Sequence, residues 1–279
     1  MSLENKMLDK TDNFLSLEEI KQESLEILLD FDAQMKAHGL RYWLAYGTLL
    51  GAMRHKGYIP WDDDLDVMMP LSDYKRMIEL YQEGSLKFKD SYVLHYPLEP
   101  SGKHHINFPK LIDKRTRCHW EYVLPRWQEH QGLWLDIFPL AGLDTPGDPK
   151  LQQDCDTLTY RVDLAYSKFV PVKRAYDLVR NLARLWTRCY GLQRYIKDFN
   201  KIIYACKDPF ECRWCFDPVA SKSFYESSLF KETVEQEFEG HLLPVPAQAD
   251  KILHTYYGDW QSLPPEEERV SHCCKISRR

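Results

Sequence analysis

The spacing of apolar positions changes several times along this chain, and each change marks an element. Ser16-Leu17-Glu18-Glu19 reads as a helix start, with Ser16 as N-cap and Glu19 closing a capping box. Ile20, Leu25, Ile27, Leu28, Phe31 and Met35 then recur on a helical period until Gly39. RYWLAY, residues 41–46, has the aromatic run of a buried strand. Gly47-Thr48 follows at once, and LLGAMRH predicts a short helix closed by Gly57. The next strand falls in PWDDDLDVMMP, residues 60–70, where Leu65, Val67, Met68 and Met69 are core side chains. Ser72 is positioned to cap a helix over residues 73–81. SYVLHY and HHINFPKLID, between residues 91 and 113, predict two strands. GLWLDIFPL, residues 132–140, predicts another, with the single acid Asp136 among apolar neighbours. This order predicts an α/β (α+β) fold, a mixed sheet flanked by helices.

Thr145-Pro146-Gly147-Asp148-Pro149 is the clearest linker. Residues 1–145 are therefore read as a catalytic core, and 146–279 as a helical and C-terminal region completing the same domain. Residues 150–205 read as a helical insertion, and the rest as shorter elements forming a lid-like segment. The insertion carries Arg161, Arg174, Arg180, Arg184, Arg188 and Arg194, which are expected on a solvated helix face. The alternative is a surface that docks an acceptor near a membrane.

Of the 279 residues, 44% are hydrophobic and 28% charged, ordinary for a water-soluble globular chain. The formal net charge of -5 gives no field to draw in nucleic acid. No apolar run is long enough to span a membrane. MSLENKMLDKTDNF lacks the basic start and apolar core of a signal peptide, so a cytoplasmic protein is expected, or one peripheral to the inner membrane face. The eight cysteines are then expected as reduced thiols. Cys206, Cys212 and Cys215 have ligand-like spacing for zinc, and Cys273-Cys274 is a looser possibility, but free thiols are the expectation.

Chemistry enters with Asp62, Asp63, Asp64 and Asp66. Asp64 and Asp66 sit two apart, so on a strand they share a face. Burying two like charges is costly unless a cation lies between them, and Mg²⁺ held by carboxylates and substrate phosphates does this. Gly47-Thr48, after a strand and ahead of a helix, lets backbone N–H groups approach a phosphate. Asp136 supplies a third acid on a later strand. Three carboxylates facing a phosphate-holding turn make a two-metal phosphoryl-transfer site, with Mn²⁺ as a substitute for Mg²⁺. Asp62 is at best a supporting residue. No convincing Ser-His-Asp or Cys-His arrangement is present. This is the pattern of the nucleotidyltransferase fold.

The wider string is more specific. YGTLLGAMRHKGYIPWDDDLDVMMP, KLIDKRT, GLWLDIFPL, FEGHLLPVP and YYGDWQSLPPEEER, in that order from Tyr46 to Arg269, closely resemble the signature of the LicD family. The resemblance implies transfer of a phosphoryl-alcohol unit, such as phosphocholine, from a CDP-activated alcohol to a hydroxyl of a glycan, releasing CMP. The acceptor would be a cell-surface glycan, in some cases lipid-linked. Asp64, Asp66 and Asp136 would hold two Mg²⁺. Gly47, Thr48, Arg54, Lys56, Lys110 and Asp259 would bind the donor, with His55 beside them; Glu239, like Asp259, is a candidate for the pocket wall, and Arg269 and His272 are weaker candidates. His104 and His105 read as ordinary polar positions. Trp61, Trp120, Trp127 and Trp134 read as core, although a tryptophan near the site would suit a cytosine or a choline. Two other readings stay open: a nucleotidyl transfer that releases pyrophosphate, and a non-catalytic nucleotide- or zinc-binding module.

Overall fold

The computed structural model describes residues 13–219, 223–269, 271 and 275–279. His272, Cys273, Cys274 and most of the N-terminal stretch considered for a leader lie outside them. Helix α1, Leu17–His38, begins at the expected capping box and ends at Gly39, whose φ of 65° an L side chain rarely adopts. Strand β1 is only Trp43–Leu44, because the chain enters α2, Tyr46–His55, before the aromatic run is finished. Gly47-Thr48 therefore lies inside the first helical turn, not in a free turn ahead of it. Strand β2 is Asp66–Pro70 and passes directly into α3, Leu71–Gln82. Ser72 does not cap α3: Pro70 starts the helix, and the Ser72 amide donates to Asp208.

Strands β3, Tyr92–His95, and β4, Lys110–Asp113, follow, but residues 104–109 are not strand. Then come β5, Thr116–His119, the short α4, Pro125–Gln128, and β6, Trp134–Leu143. The linker leads to α5, Pro149–Tyr166, capped by Asp148, then α6, Ala175–Tyr190, and α7, Leu192–Ala205. Strands β7, Trp214–Phe216, and β8, Phe224–Glu226, precede a hairpin of β9, Thr233–Phe238, and β10, His241–Pro246. Helix α8, Ala249–Tyr257, and β11, Lys275–Arg278, complete the described elements.

The main sheet runs β1-β2-β6-β4-β3, with β7 and β8 added at the far end of β6. Strands β2 and β6 are parallel; the other pairs are antiparallel. This is a mixed α/β sheet. Its side chains alternate with period two. Leu65, Val67, Met69, Leu111, Leu135 and Ile137 are fully buried, in the core that α1 and α3 cover. Asp66, Lys110, Trp134, Asp136 and Phe138 take the alternate positions and open on a cavity. A slip of one residue in β6 would exchange Asp136 for Leu135, so the core fixes the register of the acids. A second apolar cluster, with Val162, Leu192, Tyr195 and Ile196, joins α5 to α7.

Candidate active site

The centre of the site is one row across three strands. Asp66 on β2 is the register partner of Asp136 on β6, and Asp136 is the register partner of Lys110 on β4. Lys110 Nζ lies 2.7 Å from Asp136 Oδ1, and Trp134 Nε1 donates to Asp136 Oδ2 at 3.1 Å. Both oxygens of Asp136 are thus oriented. Asp66 and Asp136 are buried, and the carboxyl of Asp66 is pushed well above its ordinary range. Burial is the main cause, followed by the charges of Asp64, Asp136 and Asp62, while Lys110 opposes them.

The row lies in a cavity of about 850 Å³, the size of a ligand pocket. Asp62 and Asp64 reach it from the segment before β2, and Asp64 is not itself on the strand. Asp63 is buried and does not line it. Gly47, Leu50 and Arg54 line it from one face of α2, at helical spacing i, i+3, i+7. The N-terminal turn of α2 opens on this space and adds partial positive charge. A Cβ at position 47 would sit 2.7 Å from Asp62 Oδ2, so a larger residue there would push the Asp62 carboxylate aside. Arg54 donates to the carbonyls of Trp260 and Ser262, tying α2 to the C-terminal wall. Asp259 also lines the cavity and accepts from Ser262 Oγ at 2.7 Å.

Two expected donor-binding residues sit elsewhere. Thr48 is buried behind the row, where its hydroxyl accepts the Asp66 amide at 2.8 Å. Lys56 terminates α2 at φ 58° and pairs with Glu237 on the surface. Glu239 likewise braces the turn after α2: its carboxylate accepts from the Tyr58 amide and its own amide donates to Lys56 O. Arg269 lies over the Trp61 ring, 5.3 Å from its centroid. Of the four tryptophans assigned to the core, Trp61, Trp120 and Trp134 line the cavity, as does Trp260; Trp127 stacks on His105 instead. All four are buried in or packed against the apolar clusters as expected, but three of them also present an edge to the cleft, which a tryptophan's large apolar surface allows.

Three contributors carried no sequence signal. Lys21 of α1 donates to the carbonyls of Ile59 and Pro60 and holds the segment that enters the acids. Tyr46 lines the cavity at φ 44°, a strained position for a tyrosine, and its hydroxyl donates to Asp217. Asp217 in turn accepts from the Val219 amide. Each partner is distant in sequence and is met only after folding.

Among the lining residues six carboxylates face only Arg54 and Lys110. Oxygen donors in this excess suit a hard cation such as Mg²⁺ in kind and in charge, and Asp64, Asp66 and Asp136 are the residues that would hold it. Among the described residues, as they stand, no three His, Cys, Asp or Glu side chains are drawn onto one metal position. Burial pushes the Cys206 thiol up to about 11 and the Cys215 thiol up to about 12, and Cys212 lies beside Asp144. Reduced thiols were expected throughout, yet Cys118, fully buried on β5, is disulfide-bonded.

The mixed α/β sheet presents acids from neighbouring strands to a helix N-terminus across a large cavity. Residues 39–168 match the family described as LicD/FKTN/FKRP, nucleotidyltransferase domain. It is 28% identical over 272 residues to the lipopolysaccharide cholinephosphotransferase LicD of Haemophilus influenzae, covering 92% of this chain and 96% of that protein. It is 54% identical over 39 residues to the human ribitol 5-phosphate transferase FKRP, 14% of this chain and 8% of that one. It is 33% identical over 82 residues to the mouse ribitol-5-phosphate transferase FKTN, 29% of this chain and 18% of that one. No helix among the described residues is long and apolar enough to cross a membrane.

Proposed function

We propose that this chain is a phosphotransferase that moves a phosphoryl-alcohol group, phosphocholine or a similar unit, from a CDP-alcohol to a hydroxyl of a glycan, releasing CMP. The acidic row carries the reading: Asp66 and Asp136 stand side by side, backed by Lys110, at the floor of a cavity with excess negative charge. An anionic diphosphate is repelled by such a cavity unless a cation accompanies it. Mg²⁺ held by Asp64, Asp66 and Asp136 would supply that charge and would polarise the phosphoryl oxygens. Likeness to a cholinephosphotransferase over nearly the whole of both chains supports the same class.

The chain's own residues then position rather than react. Lys110 and Trp134 hold the two oxygens of Asp136, and Thr48 holds the backbone of Asp66. The α2 N-terminus with Gly47 would admit the diphosphate, and Arg54 adds a cation to the same wall. Rings of Trp61, Trp120, Tyr122, Trp134, Tyr256 and Tyr257 face the same space, which favours a quaternary ammonium over a polyol.

The test is turnover of CDP-choline, CDP-ethanolamine, CDP-glycerol and CDP-ribitol with Mg²⁺ and a glycan acceptor. CMP release that requires the acceptor is expected, fastest with CDP-choline. Pyrophosphate release from a nucleoside triphosphate, with no CMP from any CDP-alcohol, would replace this reading with nucleotidyl transfer.

A further inference from the structure

Helix α6 is turned the wrong way round for a solvated helix. Its apolar side chains face outward: Tyr176 is 63% exposed, Val179 61%, Leu182 57% and Trp186 61%, with Leu178 and Leu185 beside them. These positions follow i, i+3, i+6 and i+10, so they form one continuous stripe. The opposite face is polar and turned inward. Arg184 is 3% exposed and donates to Ser167 Oγ and Asn181 Oδ1. Asn181 exchanges two hydrogen bonds with the Val170 backbone, and Arg188 donates to the carbonyls of Ala165 and Ser167. Two of the arginines expected on a solvated face, Arg184 and Arg188, are thus the fasteners of the helix. These bonds fix its rotation, so the stripe cannot roll inward without breaking them.

We propose that this face docks on the surface of an anionic lipid bilayer, α6 lying in the plane of the interface. An amphipathic helix with aromatic and aliphatic side chains on one face and flanking cations suits that position. Charge decides between occupants. From residue 168 to residue 197 the only acid is Asp177, against eight Lys and Arg, in a chain whose net charge is -5. Lys173 and Arg174 at one end, and Arg194 and Lys197 beyond the other, are exposed. A second copy docked through a twofold axis would set this cationic segment against itself. A lipid surface bearing phosphate negative charge complements it. The face is a ridge and not a groove, which suits a bilayer better than a peptide.

The experiment is sedimentation of the whole chain with vesicles of phosphatidylcholine mixed with phosphatidylglycerol, and with vesicles of phosphatidylcholine alone. The chain should pellet with the mixed vesicles, much less with the neutral ones, and be released by salt. Leu182→Gln combined with Trp186→Gln should weaken binding roughly tenfold or more. Its melting temperature should not fall, because both side chains are exposed. Lys173→Glu with Arg174→Glu should remove the preference for anionic vesicles. A wild-type chain that stays in solution with both vesicle types overturns the proposal. So does a folded double variant that binds as well as wild type. A wild-type chain that self-associates through this face, with the glutamine variant monomeric, assigns the face to a second copy and overturns it too.

Discussion

Asp66 and Asp136 lie in one row with Lys110, and the next register partner along that row is His95. His95 opens a second buried polar cluster: its ring stacks on His104 at 6.3 Å and pairs with Glu99, while His105 stacks on Trp127. The two clusters are neighbours, both buried and both titratable, yet their electrostatics are opposite. Burial, His105 and His95 hold His104 well below its ordinary value, and burial, Lys110 and His95 bring His105 to about 3. Both are neutral imidazoles, and His104 Nε2 donates to Phe108 O at 2.7 Å. The histidines have escaped the cost of burial by giving up their charge. The acids stay crowded: several carboxylates share one cavity with few cations, and this pushes Asp66 toward its protonated form unless a cation is supplied. Burial of a titratable group therefore does not mark a working site; unbalanced charge facing open volume does.

The contrast is broken most severely by substitution in the row. Asp136→Asn should lower CMP release by about 10²–10³-fold while the protein stays folded; a loss of less than a few-fold would remove Asp136 from the machinery. His104→Ala should do the reverse. It should cost about 2 kcal/mol of stability, read by urea denaturation, with turnover per folded molecule unchanged. Thr48→Val strips the acceptor from the buried Asp66 amide and should cost about 1–3 kcal/mol, with Thr48→Ser restoring it.

The pH dependence separates the clusters by sign. Below 6.5 the unfolded histidines gain protons that folded His104 and His105 refuse, so their contribution to stability is lost as pH falls from 6.5 toward about 3. Asp66 is raised above 3.8, so its contribution is full below 3.8 and is lost as pH rises through its folded value. With a chelator present, Asp66→Asn should therefore steepen the rise of Tm between 3.8 and 6.5, and His105→Gln should flatten it. Equal slopes in both variants would show that the clusters do not differ as described. Lys56→Ala, at the exposed Glu237 pair, should change neither Tm nor turnover measurably.

What could be read from the chain was local. Asp66 and Asp136 each sit between apolar residues that fix a strand face, Asp64 stands just before its strand, and Lys110 opens a strand of its own. These residues, with Gly47, Arg54 and Asp259, do line one cavity. Thr48 was misplaced because a turn was expected where the helix had begun. On a helix, residues 47 and 48 point about 100° apart, so one faces the cavity and the other the core. Lys56 fell outside for the same reason, lying past the last turn of α2. The orientation of α6 was illegible: periodicity shows that a helix has two faces, but the bonds of Arg184 and Arg188 to the end of α5 decide which one turns in. The pairing of β5 with β11 and the contact of Tyr46 with Asp217 depend on distant segments that no window of sequence contains.

The central place of β6 has a consequence for how the molecule is made. It lies between β2 and β4, both of which precede it in the chain. Until β6 has emerged from the ribosome, those two strands have open inner edges and Asp66 has no neighbouring row to join. A fragment ending before Trp134 would expose apolar strand edges at the middle of the sheet, and would aggregate rather than wait. Synthesis of the last central strand thus closes the fold and creates the acidic row in one event.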